Sequence, residues 1–256
     1  MPLRAILKQT LQTHRRSPNL LVRYAIEFIY FLRACWRFAS DPRSRSIMWL
    51  TWFRAEHLHQ TTVLTGMDRY PKLFSACRDH FAGMADLRIL SFGCSSGEEV
   101  LTLRQYFPSA HIVGTEINPR NLALCRKLKV DARIAFVRSE RATLAKHGPF
   151  DLIFCMAVLQ RTPQTIDSQG ITSLKEIYPF EKFDRQIVEL DSCLNRDGAL
   201  VIQHSQYFFK DSSVASQYVE LELSEPEPPI SSMFDRDSTL VENATGCGTI
   251  FIKTRG

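Results

Sequence analysis

From Arg88 onward the chain alternates short apolar runs with stretches whose apolar residues recur every three to four positions. Short apolar runs predict buried strands, and the longer periodic stretches predict helices. The pattern predicts strand Ile89–Phe92, helix Glu98–Tyr106, strand His111–Thr115, helix Pro119–Leu128, strands Ile134–Val137 and Leu152–Met156, helix Phe180–Leu194 and strand Ala199–Gln203. Pro119 suits a first helical turn, where its missing N–H would find no partner anyway. Asn195-Arg-Asp-Gly198 reads as a turn that ends a helix before the next strand. Tyr218–Leu223 and Gly248–Lys253 read as two closing strands, parted by the proline-rich acidic loop Ser224–Pro229, which cannot sit inside a sheet. Strands alternating with helices imply an α/β fold with a mostly parallel sheet.

Upstream the pattern changes. Leu21, Tyr24, Ala25, Phe28, Leu32, Cys35 and Ala39 recur at helical steps between Asn19, a capping residue, and Asp41-Pro42, which breaks the helix. Ile47 to about His57 reads as a second, shorter helix with two tryptophans. A helical extension over residues 1–60 and an α/β domain over 61–256 are therefore expected. Gln60 to Phe74 reads as a loop entering a helix that ends near Phe81.

Charge sharpens this division. Residues 1–56 hold ten Lys/Arg against three Asp/Glu, and the remaining residues hold 22 against 24, so the net +5 comes from the N-terminal part. The extension then admits two accounts: helices packed on the domain, or a basic amphipathic surface that meets a membrane or partner. The acid-free first 26 residues also resemble a mitochondrial presequence. No uninterrupted apolar run reaches membrane-spanning length. The seven cysteines are scattered without a C-x-x-C pair, which argues against a disulfide framework and a structural zinc. A reducing, cytoplasmic compartment is expected, and no metal.

The chemistry concentrates in Arg88 to Leu103, where a strand runs through Phe92-Gly93-Cys94-Ser-Ser-Gly97 into a helix that opens on Glu98-Glu99. The next strand ends on Glu116, nineteen residues after Gly97. A glycine turn followed about 20 residues later by an acid is the nucleotide-binding arrangement of doubly wound folds, with the acid accepting from ribose hydroxyls. Two carboxylates at the helix start suit its dipole but would repel a pyrophosphate. They tolerate a ligand carrying an ammonium and a sulfonium.

These residues resemble the class I S-adenosylmethionine-dependent methyltransferases, and Ser91-Phe-Gly-Cys-Ser-Ser-Gly-Glu-Glu99 is most similar to their chemotaxis-receptor branch. The resemblance implies a Rossmann-like, doubly wound sheet ending in an antiparallel hairpin, with S-adenosyl-L-methionine as cofactor. It implies Phe92, Gly93, Cys94, Gly97 and Glu98 in the cofactor loop, Glu116 on the ribose and Ile117 beside the adenine. It further implies Cys155 and Met156 beside the methionine part, an adenine contact near Ser139-Glu140, and a cofactor lid before the first strand, where Arg69 and Tyr70 lie. The chemotaxis branch has an Arg-Asn pair where this chain has Met156-Ala157, which argues against a receptor glutamate as acceptor.

His204 closes a strand at the edge where open α/β sheets bind ligands, and it is the candidate catalytic base. A strand-end histidine bonded to backbone is the plainer account. Ser205, Gln206 and Tyr207 are expected to extend a polar rim. Three functions follow: methyl transfer to a small or lipid-like metabolite or a protein side chain, methyl transfer to nucleic acid, or a non-catalytic binding protein. Nucleic acid is disfavoured by the slightly acidic domain and by the lack of an Asn/Asp-Pro-Pro-Tyr/Phe motif.

Overall fold

The computed structural model describes residues 19–61, 65–223, 231–244 and 248–254. The basic stretch 1–18, the acidic loop 224–229 and Cys247 lie outside the described residues. The chain divides into two compact units, one ending at Phe53 and the other starting at Arg54.

The first unit is a pair of helices, α1 (Leu20–Ser40) and α2 (Pro42–Phe53). The Asn19 side chain caps α1 by accepting from the Leu21 N–H at 3.0 Å. Asp41 ends α1 and starts α2. Its carboxylate accepts from the Arg43 N–H at 2.9 Å and from the Ser44 hydroxyl at 2.6 Å, and Pro42 fills the first turn. The second helix thus starts five residues before the expected Ile47, because a capped Asp-Pro pair nucleates a helix as well as ending one.

The second unit opens with Arg54–Gln60 and helix α3 (Pro71–His80). Strands β1 (Arg88–Phe92), β2 (His111–Glu116), β3 (Ile134–Arg138), β4 (Phe150–Met156) and β5 (Leu194–Gln203) follow. They alternate with α4 (Glu98–Tyr106), α5 (Pro119–Cys125), α6 (Arg141–His147), α7 (Pro163–Gln169) and α8 (Phe180–Asp191). Then come β6 (Tyr218–Glu220), a small pair β7 (Met233–Phe234) and β8 (Leu240–Val241), and β9 (Ile250–Lys253). The main sheet has the order β3-β2-β1-β4-β5-β9-β6. Its first five strands pair in parallel, and β9 runs antiparallel to both neighbours. This is the expected Rossmann-like sheet with its closing antiparallel hairpin.

Consecutive residues within a strand enter opposite cores. Leu90, Phe92, Ile153 and Cys155 pack on one face with Phe183, Ile187 and Leu190 of α8. Ile89, Leu152, Phe154 and Val201 pack on the other with Leu73, Phe74 and Cys77 of α3. Both faces are covered, so burial along the central strands is near-continuous rather than alternating. Burying a side chain such as Phe154 fully, as here, contributes about 1.5–3 kcal/mol.

Asn195–Gly198 differs from expectation. It lies within β5 and interrupts the ladder: Phe150 pairs with Leu194 but Leu152 pairs with Ala199, and Asp197 takes a positive φ of 62°. The asparagine amide donates to Asp151 at 2.7 Å, tying the bulge to the neighbouring strand. The turn residues were legible, but nothing local tells a turn from a bulge.

Candidate functional site

Strand order reverses between β1 and β4, and the helices that follow them pack on opposite faces of the sheet, the arrangement that opens a crevice at the strands' carboxyl ends. Gly93, Cys94 and Ser95 after β1 and Met156 at the end of β4 line a small cleft. Its other walls are Thr65–Gly66 and Asp68–Tyr70 from the segment before α3, Phe74, and Glu99 and Thr102 of α4.

The turn is built by backbone. The N–H groups of Gly93 and Cys94 both donate to the Thr115 carbonyl at 2.9 Å, which curls the chain at the end of β1. Gly93, Ser95 and Gly97 take positive φ of 79°, 53° and 101°. At Gly97 a side chain would also meet Leu128 at 2.6 Å, so this glycine lets the start of α4 pack onto the domain. At Gly93 a Cβ would meet Val158 at 2.5 Å. The demand for glycine thus comes from conformation and from protein packing at both positions.

Glu98 and Glu99 take different tasks. Glu98 accepts from the Ser96 hydroxyl at 2.9 Å and the Thr65 hydroxyl at 3.3 Å, which ties the segment before α3 to the helix start. Glu99 faces the cleft and accepts from the Ser91 hydroxyl at 2.7 Å. Protein surrounds its carboxyl while part of the residue stays open to the cleft. Burial pushes its pKa up to about 7, against the pull of Ser91 and Arg69. Glu99 and Ser95 are the main lining residues that the sequence reasoning passed over, although both lie inside the motif it singled out.

Glu116 ends β2, 7 % exposed. It accepts from the Asn118 N–H at 2.7 Å. Burial pushes its pKa up to about 7, opposed by the N–H groups of Asn118, Ser95 and Ile117 and the Asn121 side chain. A larger hollow opens beside Ile117, with Phe92, Ser139 and Glu140 on one side and Arg54, His57 and Arg185 on another.

The structure therefore gathers Gly93, Cys94 and Met156 in one cleft, and Phe92 and Ile117 in the hollow. Cys155 stands apart, fully buried in the core, where burial pushes its thiol pKa far up. Tyr207 also departs from expectation. It is 1 % exposed, donates to the Tyr178 carbonyl and shares a hydrogen bond with the Ser238 hydroxyl at 3.0 Å, so it is core rather than rim. Gln206 is buried too and accepts from the Arg161 N–H at 2.6 Å.

His204 follows β5 in a left-handed conformation, φ 57°. Its ring lies 5.4 Å from that of Tyr70, a cleft residue, and its Nδ1 has no partner among the described residues. Burial, with Arg69 adding to it, lowers its pKa to about 4. The ring is therefore neutral near pH 7.

Arg54–Gln60 is strapped down by far-off residues. The buried His59 shares hydrogen bonds with Tyr178 at 2.7 Å and Gln186 at 3.2 Å, and burial lowers its pKa to about 3. Lys182 donates to the carbonyls of Ala55 and Leu58 at 2.6 and 2.8 Å, and Arg54 pairs with Glu140 at 2.8 Å. Among the described residues no group of three or more His, Cys, Asp or Glu is placed to hold a metal ion.

Residues 89–177 match the methyltransferase domain family. This match spans β1 to the loop after α7. Over 79 residues the chain is 34 % identical to a trans-aconitate 2-methyltransferase of Methylobacterium nodulans, covering 31 % of this chain and 30 % of that one. The chain thus spans under a third of the length of that curated relative. Among solved structures, it resembles the plantazolicin methyltransferase BpumL in complex with SAH at 16 % identity and a TM-score of 0.40, covering 66 % of this chain and 56 % of that one. It also resembles SAM-bound CalS10 of Micromonospora echinaspora, an amino pentose methyltransferase, at 20 % identity and a TM-score of 0.37, covering 55 % and 50 %. The fold itself rests on the strand order above. None of these three is a chemotaxis-receptor enzyme.

Proposed function

We propose that the protein is a class I methyltransferase that takes its methyl group from S-adenosyl-L-methionine. The observation that carries this reading is the placement of two carboxylates around one turn at the switch point. Glu99 faces the cleft beside Gly93, and Glu116 ends the adjoining strand. The Ser95 hydroxyl in the cleft wall has no partner among the described residues and is a further group that a polar ligand would satisfy. In this reading Glu116 accepts the ribose hydroxyls and Glu99 faces the ammonium of the methionine part. The backbone of Gly93 and Cys94 and the Met156 side chain flank that part, and Phe92 and Ile117 flank the adenine.

The cofactor supplies an electrophilic methyl group on its sulfonium. The chain then has to bind, orient and shield, and holding reactants in line can contribute about 7–11 kcal/mol. His204 and Tyr70 take the acceptor side. A neutral, partly buried imidazole beside Tyr70 can accept a hydrogen bond from the acceptor or take its proton late in transfer. The match to the methyltransferase family ends at residue 177, before β5 and His204, so it supports the donor side. For the acceptor we propose a small or lipid-like metabolite or a protein side chain. The buried free thiols Cys77, Cys94, Cys125 and Cys155 support a reducing, cytoplasmic setting.

The test is methyl-labelled cofactor offered with carboxylic-acid, lipid and peptide fractions. Label in one fraction, suppressed by S-adenosylhomocysteine, is the expected result. Failure of the folded protein to bind either form of the cofactor would contradict the proposal.

A further inference from the structure

Of the eighteen large apolar side chains exposed among the described residues, twelve lie between Leu20 and Phe53. They are ordered. At 3.6 residues per turn, Tyr24, Phe28, Leu32 and Trp36 fall along one side of α1, within the half of its circumference that holds every exposed apolar residue of that helix. Arg23, Arg33 and Arg37 fall in the other half. The aromatic surface continues onto α2, since Phe38 stacks on Trp52 at 6.1 Å and Trp49 lies 5.8 Å from Phe53. Trp36 is 69 % exposed, Trp52 63 % and Phe53 66 %.

We propose that this helical pair is a docking surface for an anionic lipid bilayer. The inference does not depend on the methyltransferase reading. Charge selects the occupant. The described part of the unit carries Arg23, Arg33, Arg37, Arg43 and Arg45 against Glu27 and Asp41, and Asp41 is engaged in capping α2. A second copy docked here would bring two such units of net positive charge together. An anionic headgroup layer neutralises that charge. Tryptophan favours the headgroup level, where an aromatic body meets lipid and its N–H meets water. No described helix is long and apolar enough to cross a membrane, so the pair would lie in the interface rather than span it.

All three tryptophans of the chain, Trp36, Trp49 and Trp52, belong to this pair, so intrinsic fluorescence reports on it alone. The full-length protein is titrated with phosphatidylcholine vesicles and with phosphatidylcholine–phosphatidylglycerol vesicles, at low and high salt, and flotation is followed in parallel. A blue shift and flotation with the anionic vesicles, weakened by salt and absent with neutral ones, is expected. Phe28→Ser and Trp36→Ser should each weaken vesicle binding by about 10-fold or more, because each removes exposed apolar area that the bilayer would bury. Secondary structure by circular dichroism should stay unchanged in both variants. Three results would overturn the proposal: no binding to anionic vesicles, flotation indifferent to lipid charge, or a blue shift that follows protein concentration alone with a rise in hydrodynamic mass, which would assign the face to self-association.

Discussion

Glu99 and Glu116 are the residues on which most turns. Both have folded pKa values raised to about 7 by burial, against an ordinary value of 4.5. Between those values the unfolded chain binds fewer protons than the folded one. Their contribution to stability is therefore full below about pH 4.5 and is lost as pH rises through 7. Ligand binding has the opposite sign, since ribose hydroxyls and an ammonium prefer the ionised carboxyls. Cofactor affinity should rise between pH 6 and pH 8, and Glu116→Gln should flatten part of that rise, as read by calorimetry at several pH values. An affinity independent of pH would remove both carboxyls from the site. For His204 a pKa lowered to about 4 means that the ring is neutral across the same range. His204→Ala should lower kcat by about 10-fold, short of the 10²–10⁴ of a base matched to working pH. With cofactor saturating, the pH–rate profiles of the two proteins should run parallel between pH 6 and 8. A step near pH 6.5 that vanishes in the variant would give His204 an ordinary pKa and the stronger role.

Among elements, the bulge in β5 carries the sharpest structural expectation. A Cβ at Gly198 would lie 2.9 Å from the carbonyl oxygens of Asn195 and Asp151, neither of which can swing aside. Gly198→Ala should cost about 1–3 kcal/mol in urea unfolding, the usual range for overpacking. A variant as stable as the parent would mean that β5 does not need this close approach. The same comparison shows how much was legible. Helix Glu98–Tyr106 and the turn before it follow from neighbouring residues, and the structure has that helix at the expected ends. The strap on Arg54–Gln60 was not legible, because His59 meets a tyrosine 119 residues away. Tyr207 looked like a rim residue because it follows a strand end, yet Tyr178 and Ser238 satisfy its hydroxyl inside the core. Glu99 was passed over for Glu98, since both fit a helix start and only the packing of α4 decides which one faces the cleft.

At the scale of the whole molecule, charge and exposed apolar surface are concentrated in the unit that ends at Phe53, and the turn with its two carboxylates in the unit that begins at Arg54. A chain starting at Arg54 should bind S-adenosylhomocysteine as tightly as the full chain while losing salt-sensitive vesicle binding. Loss of cofactor affinity on that truncation would show that the helical pair takes part in the site. The central claim is that the turn at the end of β1 and the carboxyl at the end of β2 hold S-adenosyl-L-methionine. Calorimetric titration of S-adenosylhomocysteine into the parent protein and into Glu116→Ala, at a pH above 7, tests it most directly. Stoichiometric binding to the parent, weakened by about 10-fold or more (about 1.4 kcal/mol) in the variant, is the predicted result. No binding to the parent, or unchanged affinity in a folded Glu116→Ala protein, would contradict it.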